Sequence, residues 1–244
     1  MDEIKKFDIE RNEAIKEMAK DKEMKEISNK WMRFNTKHKY VYNHKWMGVP
    51  IIQLPNDIMA IQELIWEVKP DLIIETGIAH GGSIIHAASI LELLGNTGEV
   101  LGIDIEIREH NLKRIMSHPM SKRIKMIEGS SVEEKTLNYV TKISSNKKNI
   151  MVFLDSCHTH EHVKKELDIY SNFVSKGSYL VVFDTSIQFE PNEFCDNRPW
   201  GVDNNPWTAV HEFIKENENF IIDESIHNKL VITSAIDGYL KRVK

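Results

Sequence analysis

The chain has 244 residues, of which 41% are hydrophobic and 28% are charged, and its formal net charge is −5. This is the composition of a globular protein, long enough for one large α/β domain, and its acidic balance argues against nucleic acid as the main partner. No apolar run is long enough to span a membrane, the charged N-terminus does not resemble a signal peptide, and two cysteines offer no disulfide framework. A cytoplasmic protein without a membrane span is therefore expected.

The first part of the chain is polar and highly charged, and its sparse apolar residues predict one long helix over residues 8–34. Such a helix is too polar for the core of a domain. We therefore expect a helical extension over residues 1–45, followed by a single domain over residues 46–244. The extension either lies across the domain or meets another subunit in a homo-oligomer.

Strand and helix patterns alternate after this extension, which is typical of a parallel sheet covered by helices on both faces. The predicted strands lie near residues 71–76, 99–104, 123–128, 149–155 and 178–184, and the predicted helices near 82–95, 109–117, 133–144, 161–174 and 206–217. Residues 185–205 form an unusually long loop, of the kind that often acts as a lid or a substrate wall. Two further strands near 219–223 and 229–234 are expected to form an antiparallel hairpin at the sheet edge.

A glycine-rich turn follows the first of these strands. The strand ends with the acid Glu75, and Gly77 and Gly81 bound a turn that opens the next helix. Glycine allows unusual backbone angles and lets a ligand approach closely, and the N–H groups at the start of a helix favour negative charge. The pattern therefore predicts a site for a nucleotide-type cofactor.

Two features of this turn favour S-adenosylmethionine over NAD. A dinucleotide fingerprint requires G-x-G-x-x-G, but Ala79 stands where the second glycine belongs, and Glu75 would lie badly beside a pyrophosphate. S-adenosylmethionine has no phosphate and carries positive charge, which a carboxylate attracts. Asp104 ends the next strand, where an acid can accept hydrogen bonds from ribose hydroxyls, and Ser130 could border an adenine ring.

Several motifs together resemble the cephalosporin hydroxylase / rhamnosyl O-methyltransferase-like family of S-adenosylmethionine-dependent class I methyltransferases. They extend over about residues 40–235 and comprise Trp46–Gln53, Glu75–Gly77 with Gly81–Ser83, Gly102–Asp104, Glu128–Ser131, Leu154–His160, Arg198–Gly201 and Asn204–Pro206. The resemblance implies a Rossmann-like class I methyltransferase fold with a mostly parallel seven-stranded sheet, and it implies S-adenosylmethionine as cofactor. Members of the family take part in antibiotic tailoring or sugar methylation.

The predicted cofactor-binding residues lie at the strand ends and in the turns after them. They are Glu75, Gly77, His80, Gly81, Ser83, Asp104, Ser130 and Asp155. For each acid, a purely structural role in capping the next helix is the alternative. His80 either contacts the cofactor or only shapes the loop.

The segment from Asp155 to His162 concentrates acids and histidines after the fourth strand. His158 and His160 are expected at the mouth of the site, where a histidine can take the proton from a hydroxyl group that is being methylated. Asp155, His158 and His160 are therefore the candidate catalytic residues. His162 is expected to be a solvated histidine on the surface of the next helix.

Some related small-molecule and sugar methyltransferases bind a divalent cation through an Asp after strand 4 and a Glu-Asp pair after strand 5. Asp155 and Asp184 match two of these positions, and a Mg²⁺-type ion held there would lower the pKa of a substrate hydroxyl. Phe183 stands where the third carboxylate is expected. Water, His158 or a residue of the long loop could complete the coordination.

These observations predict an enzyme that transfers a methyl group from S-adenosylmethionine to a hydroxyl of a small polar acceptor. A sugar or glycan precursor is the expected acceptor, in surface polysaccharide synthesis or natural-product tailoring. Two alternatives remain at this point. One is an NAD-dependent oxidoreductase or dehydratase acting on a nucleotide sugar, and the other is a non-catalytic binding subunit.

Overall fold

The computed structural model describes residues 2–244, which form an α/β fold around one large sheet. The seven strands of this sheet are β3 (Leu72–Thr76), β4 (Glu99–Asp104), β5 (Ile124–Glu128), β6 (Ile150–Leu154), β7 (Tyr179–Val182), β8 (Phe220–Ile222) and β9 (Tyr239–Arg242). They lie in the order β5-β4-β3-β6-β7-β9-β8. Neighbours from β5 to β7 pair in parallel, and β9 runs antiparallel to both β7 and β8. The predicted mostly parallel seven-stranded sheet is confirmed.

Helices cover both faces of the sheet because its central strands are apolar on both sides. The helices are α1 (Glu3–Lys20), α2 (Lys22–Lys37), α3 (Pro55–Val68), α4 (Gly82–Leu94), α5 (Glu109–Ser117), α6 (Glu134–Ser144), α7 (His160–Tyr170), α8 (Pro206–Glu216) and α9 (Glu224–Leu230). One core cluster packs α3 and α4 against the sheet, and a second packs α6, α7 and α8 against the other face. A short hairpin of β1 (Lys45–Trp46) and β2 (Val49–Pro50) lies beside α4.

The N-terminal segment consists of two helices, so the prediction of one long helix is wrong. Asp21 has an extended backbone and separates α1 from α2, and its carboxylate accepts a hydrogen bond from Met24 N at 3.0 Å. An aspartate at this position caps the second helix, which explains the break. None of the residues of α1 is buried.

The end of the chain also differs from the prediction. The strand near 219–223 exists as β8, but residues 229–234 are not its partner, since α9 ends at Leu230 and β9 pairs with β8 instead. Asp57 explains this difference, because its buried carboxylate accepts hydrogen bonds from Thr233 and Ser234 and fixes them as a loop.

No helix within residues 2–244 combines the length and the apolar character that a membrane crossing requires.

Candidate active site

The candidate site lies where the order of the strands reverses. Strands β3 and β6 are neighbours in the sheet, while β4 and β5 extend from β3 in the opposite direction. Ligands bind beyond the carboxyl ends of the strands at such a point. The acids predicted from the sequence end these strands or directly follow them: Glu75 in β3, Asp104 in β4, Asp155 after β6 and Asp184 after β7.

The glycines of the turn after β3 are required by close backbone contacts. Gly77 has a φ of +90°, and a Cβ atom there would lie 1.9 Å from the backbone oxygen of Asp155. Gly81 caps α4 with a φ of +89°, and a Cβ atom on Gly82 would lie 2.2 Å from the backbone oxygen of Pro50. Side chains at these positions would push the turn away from the sheet and the β1–β2 hairpin.

Asp104 holds the glycine turn in place. Its Oδ2 accepts hydrogen bonds from Ile78 N at 2.7 Å and from Ala79 N at 3.1 Å, and its Oδ1 accepts one from Glu106 N at 3.1 Å. The carboxylate therefore has a structural role, but this role is to hold the glycine turn and not to cap the next helix, α5. It also lines the cofactor cavity described below, and its two oxygens have more lone pairs than these three hydrogen bonds use.

Asn111 was missed by the sequence analysis and supports the turn from the other side. Its side-chain amide donates a hydrogen bond to Ala79 O at 2.8 Å, and its Oδ1 lies 3.3 Å from Nδ1 of His80. The ring of His80 is thus tied to α5. An asparagine in the first turn of a helix gives no distinct signal in the sequence.

A cavity of about 430 Å³ opens beside this turn, within the size range of small-molecule sites. Four predicted residues line it: Gly77, Asp104, Ser130 and Asp155. We call it the cofactor cavity.

Glu75 is buried behind the turn and is short of compensating partners. Ser83 donates a hydrogen bond to its carboxylate, but burial has the larger effect and raises the pKa of Glu75 to about 8. A buried carboxylate that lacks a positive partner is stabilised by a cationic ligand group. This arrangement fits a cofactor that carries an ammonium group.

His162 lies in the wall of the cofactor cavity, so the prediction of a surface histidine is wrong. Its Nε2 is 3.2 Å from the hydroxyls of both Ser131 and Ser156, and 3.4 Å from Oε1 of the fully buried Glu166. The available signal was Glu166 itself, an acid among the apolar residues that α7 buries. Residues four positions apart in a helix lie on the same side, so His162 lies on the same face of α7 as Glu166.

The second feature of the site is a cluster of Asp155, His158 and Asp184. Each offers one ligand atom, and these atoms lie within 4.8 Å of one another. His158 Nε2 is 3.3 Å from Asp184 Oδ2. Asp184 has a φ of +57°, a strained conformation for a residue other than glycine and one often found at functional sites. Burial raises the pKa of Asp155 well above its ordinary value, and the nearby charges of Asp184 and Glu75 add to this.

The cluster fits a divalent cation. Two carboxylates supply the oxygen ligands that Mg²⁺ prefers, and a cation would offset the repulsion between them. Phe183 does not take part, because its side chain is buried and packs edge-on against Phe153, with ring centroids 6.4 Å apart. The third group of the cluster is His158, whose Nε2 lies 3.3 Å from Asp184 Oδ2.

Two further cavities extend from this cluster. A bridging cavity of about 220 Å³ shares Gly77 and Asp155 with the cofactor cavity and is also lined by His158 and Asp184. A cavity of about 280 Å³ shares His158 and Asp184 with the bridging cavity, and we call it the acceptor cavity. Its walls come from α2, the segment before α3 and the long loop, and include Thr36, Tyr42, Gln53, Glu190, Arg198 and Trp200. The predicted role of the long loop as a wall agrees with this position.

His160 lies apart from these cavities. It is the first residue of α7, its Nδ1 is 2.7 Å from the hydroxyl of Thr208, and its Nε2 is 3.1 Å from Glu212 Oε2. Both ring nitrogens are therefore engaged with α8, and His160 is not among the residues that line the cofactor, bridging or acceptor cavity. The geometry gives the predicted catalytic role of His160 no support.

Solved structures with a similar fold are methyltransferases. A CmcI structure described with Mg and S-adenosylmethionine aligns with a TM-score of 0.58 at 16% identity, over 83% of this chain and 78% of that one. An O-methyltransferase from Bacillus cereus, in complex with S-adenosylhomocysteine, aligns with a TM-score of 0.50 at 14% identity, over 80% and 81% of the two chains. The predicted Rossmann-like methyltransferase fold is confirmed.

Sequence relatives agree with this result. The rhamnosyl O-methyltransferase of Mycobacterium bovis is 28% identical over 216 residues, which cover 84% of this chain and 83% of the relative. That of Mycobacterium leprae is 26% identical over 163 residues, covering 63% and 68%. The sequence model of the family described as Rhamnosyl O-methyltransferase/CmcI matches residues 38–243. The chain therefore belongs to the Rhamnosyl O-methyltransferase/CmcI family, as its motifs predicted.

Proposed function

We propose that this protein transfers the methyl group of S-adenosylmethionine to a hydroxyl of a sugar or a sugar-containing glycan precursor, as an enzyme of residues 46–244 with a helical extension. One observation carries the proposal. The bridging cavity shares lining residues with both the cofactor cavity and the acceptor cavity, and Asp155, His158 and Asp184 are among these shared residues. A methyl donor and a hydroxyl acceptor could thus meet beside a histidine and two carboxylates.

The residues around the cofactor cavity suit the parts of S-adenosylmethionine. Glu75 and Ser83 would hold the ammonium end, since Glu75 is the buried carboxylate without a cation. Gly77, which lines the cavity, would let the cofactor approach the backbone, Gly81 caps the helix that follows the turn, and Asp104 would accept hydrogen bonds from the ribose. Ser130 and His162 would border the adenine from the opposite wall.

His158 is the proposed base. A ring nitrogen of His158 can accept the proton of the acceptor hydroxyl, and Asp184, whose Oδ2 lies 3.3 Å from Nε2, orients the ring. Bound S-adenosylmethionine would supply a methyl group that passes to the acceptor oxygen as the sulfur–carbon bond breaks. The protein contributes the alignment of the two groups and the removal of the proton.

Asp155 and Asp184 are the proposed ligands of a Mg²⁺-type ion, with His158 beside them. Such an ion would supply positive charge that favours the deprotonated acceptor hydroxyl. The two carboxylates would fix its position and keep it between the cofactor cavity and the acceptor cavity.

The two alternatives from the sequence gain no support. An NAD-dependent oxidoreductase and a non-catalytic subunit both leave unexplained why the chain belongs to a methyltransferase family.

Calorimetric titration with S-adenosylhomocysteine tests the cofactor half of the proposal. The protein is treated with EDTA and titrated with and without added Mg²⁺, and micromolar binding is expected. Transfer of labelled methyl groups to methyl α-L-rhamnopyranoside and to the corresponding glucoside, galactoside and fucoside tests the acceptor half. Absence of S-adenosylhomocysteine binding under both conditions would refute the methyltransferase function, and NAD would be titrated next.

We also propose that the protein forms a homo-oligomer through its N-terminal helices and acts in the cytoplasm. Large apolar side chains on α1 and α2 are exposed, which a second copy would cover; they are Ile4, Phe7, Ile9, Ile27 and Phe34. Its two free cysteines fit a reducing compartment. Light scattering of the wild type and of Phe7→Lys tests self-association, and a monomeric wild type would refute it.

A further inference from the structure

The acceptor cavity contains a buried carboxylate that the proposed reaction does not use. Glu190 follows the short helical turn Thr185–Phe189 in the long loop, and its side chain lines this cavity. Only 8% of the residue is exposed, and its burial raises the pKa of the carboxyl above the ordinary value. A carboxylate in such a place needs hydrogen-bond donors to remain stable.

The two oxygens of this carboxylate have different surroundings. Oε1 accepts a hydrogen bond from the hydroxyl of Thr36 at 3.1 Å, whereas Oε2 has no hydrogen-bond partner within residues 2–244. Thr36 lies in α2, so the contact also joins the N-terminal extension to the long loop. A buried acceptor without a donor is unfavourable, which suggests that a ligand supplies the donor.

The position of Glu190 suits recognition and does not suit the cation cluster. The cluster groups only Asp155, His158 and Asp184 among residues 2–244, and Glu190 is not in it. His158, at the inner end of the acceptor cavity, meets the ring of Trp200 edge-on with centroids 4.9 Å apart. Glu190 therefore lines the same cavity as His158 but does not belong to the cation cluster.

We propose that Glu190 recognises the acceptor, its carboxylate accepting a hydrogen bond from a sugar hydroxyl other than the one that is methylated. Thr36 is a positioning residue that fixes the carboxylate. The cavity of about 280 Å³ lies just below the usual range for small-molecule sites, which suits an acceptor as small as one sugar ring. This inference rests on the proposed function and deepens it, since it assigns a specificity-determining residue for the same site.

The test compares Glu190→Met with the wild type. Methionine has a similar volume but cannot accept the hydroxyl, so the KM for the methylated glycoside should rise by about tenfold to a hundredfold. The dissociation constant of S-adenosylhomocysteine should remain unchanged. The melting temperature should not fall, because the variant removes a buried carboxylate with an unpaired oxygen. A purely structural glutamate would instead show lower thermal stability and an unchanged KM.

Glu193→Met is the matched control, since Glu193 lies three residues further along the same loop and is exposed. This control variant should have the same KM for the glycoside, the same affinity for S-adenosylhomocysteine and the same melting temperature as the wild type. Glu190→Gln is the second variant if Glu190→Met does not fold, and a smaller rise in KM is expected because its amide retains one acceptor. In a series of monodeoxy glycosides, the absence of one particular hydroxyl should raise the KM of the wild type strongly. The same absence should raise the KM of Glu190→Met by less than about threefold.

Each result decides between distinct conclusions. A KM of Glu190→Met within about twofold of the wild-type value refutes the recognition role while the methyltransferase function stands. Binding of S-adenosylhomocysteine without transfer to any of the four glycosides would overturn the sugar acceptor, and this inference would fall with it. Loss of S-adenosylhomocysteine binding in Glu190→Met would place Glu190 in the cofactor site and refute the inference.

Discussion

Replacing Glu75 with glutamine should change stability and cofactor affinity in opposite directions. The Glu75 carboxyl is almost fully buried, and Ser83 donates a hydrogen bond to it. Glutamine has nearly the same size and can accept this hydrogen bond, but it cannot become charged. The variant therefore isolates the effect of the charge from the effect of packing.

The effect on stability follows from the raised pKa of Glu75. The folded protein keeps this proton up to a pH of about 8, whereas the unfolded chain releases it near 4.5. The free energy of unfolding of the wild type therefore falls as the pH rises through this window. At about 1.4 kcal/mol for each pH unit, the full effect is about 5 kcal/mol, of which about 2 kcal/mol falls between about pH 6 and about pH 8.

Urea denaturation of both proteins at the two pH values measures this difference. The Glu75→Gln variant should be the more stable protein, and its advantage should be about 2 kcal/mol larger at about pH 8 than at about pH 6. Titration with S-adenosylhomocysteine should show tighter binding to the wild type than to the variant, because an ionised Glu75 attracts the ammonium group of the ligand. Below about pH 8, the wild-type affinity should increase about tenfold for each unit by which the pH rises. The affinity of the variant should stay nearly constant.

Equal pH dependence of the two proteins would refute this reasoning. If the stability difference is constant over the range, the pKa of Glu75 is not raised. If the stability difference changes as expected but the affinities run parallel, Glu75 is a buried acid without contact to the cofactor.

Three other variants test the remaining parts of the site. Asp104→Ala leaves two backbone N–H groups of the glycine turn unpaired and should weaken S-adenosylhomocysteine binding at least about tenfold by calorimetry, so an unchanged affinity would contradict its role. His158→Ala should lower kcat by about 10² to 10⁴ without changing this affinity, and full turnover would remove it from the mechanism. Asp184→Asn should abolish any dependence of turnover on added Mg²⁺, and a variant that responds to Mg²⁺ like the wild type would exclude Asp184 as a ligand.

The acids at the strand ends could be predicted because of a regular property of parallel sheets. Apolar runs that end in Glu75, Asp104 or Asp155 indicate strands, and parallel strands bring their carboxyl ends to one edge. The bounds of β4 and α5 agree with the sequence pattern, and most other elements differ from it by no more than two residues at either end. Local pattern and tertiary structure agree in this part of the chain.

The remaining differences come from contacts between distant residues. Val231, Ile232 and Thr233 form a β-branched run that favours a strand, but the buried carboxylate of Asp57 holds the segment as a loop. The sequence likewise gives no sign that Glu190 and Thr36 meet across 154 positions. Side chains whose positions depend on the path of a loop could not be identified before the structure.

Apart from His158, Asp184 and Ser234, the residues that line the acceptor cavity come from α2, the segment between α2 and α3 and the long loop, none of which belongs to the seven-stranded sheet. The cofactor cavity is instead formed by segments that directly follow β3, β4, β5 and β6. Substitutions on α2 and on the long loop can therefore change the choice of acceptor without touching the residues that line the cofactor cavity. This division offers evolution, or a protein engineer, a route to new acceptors by changing these two segments while the sheet is retained.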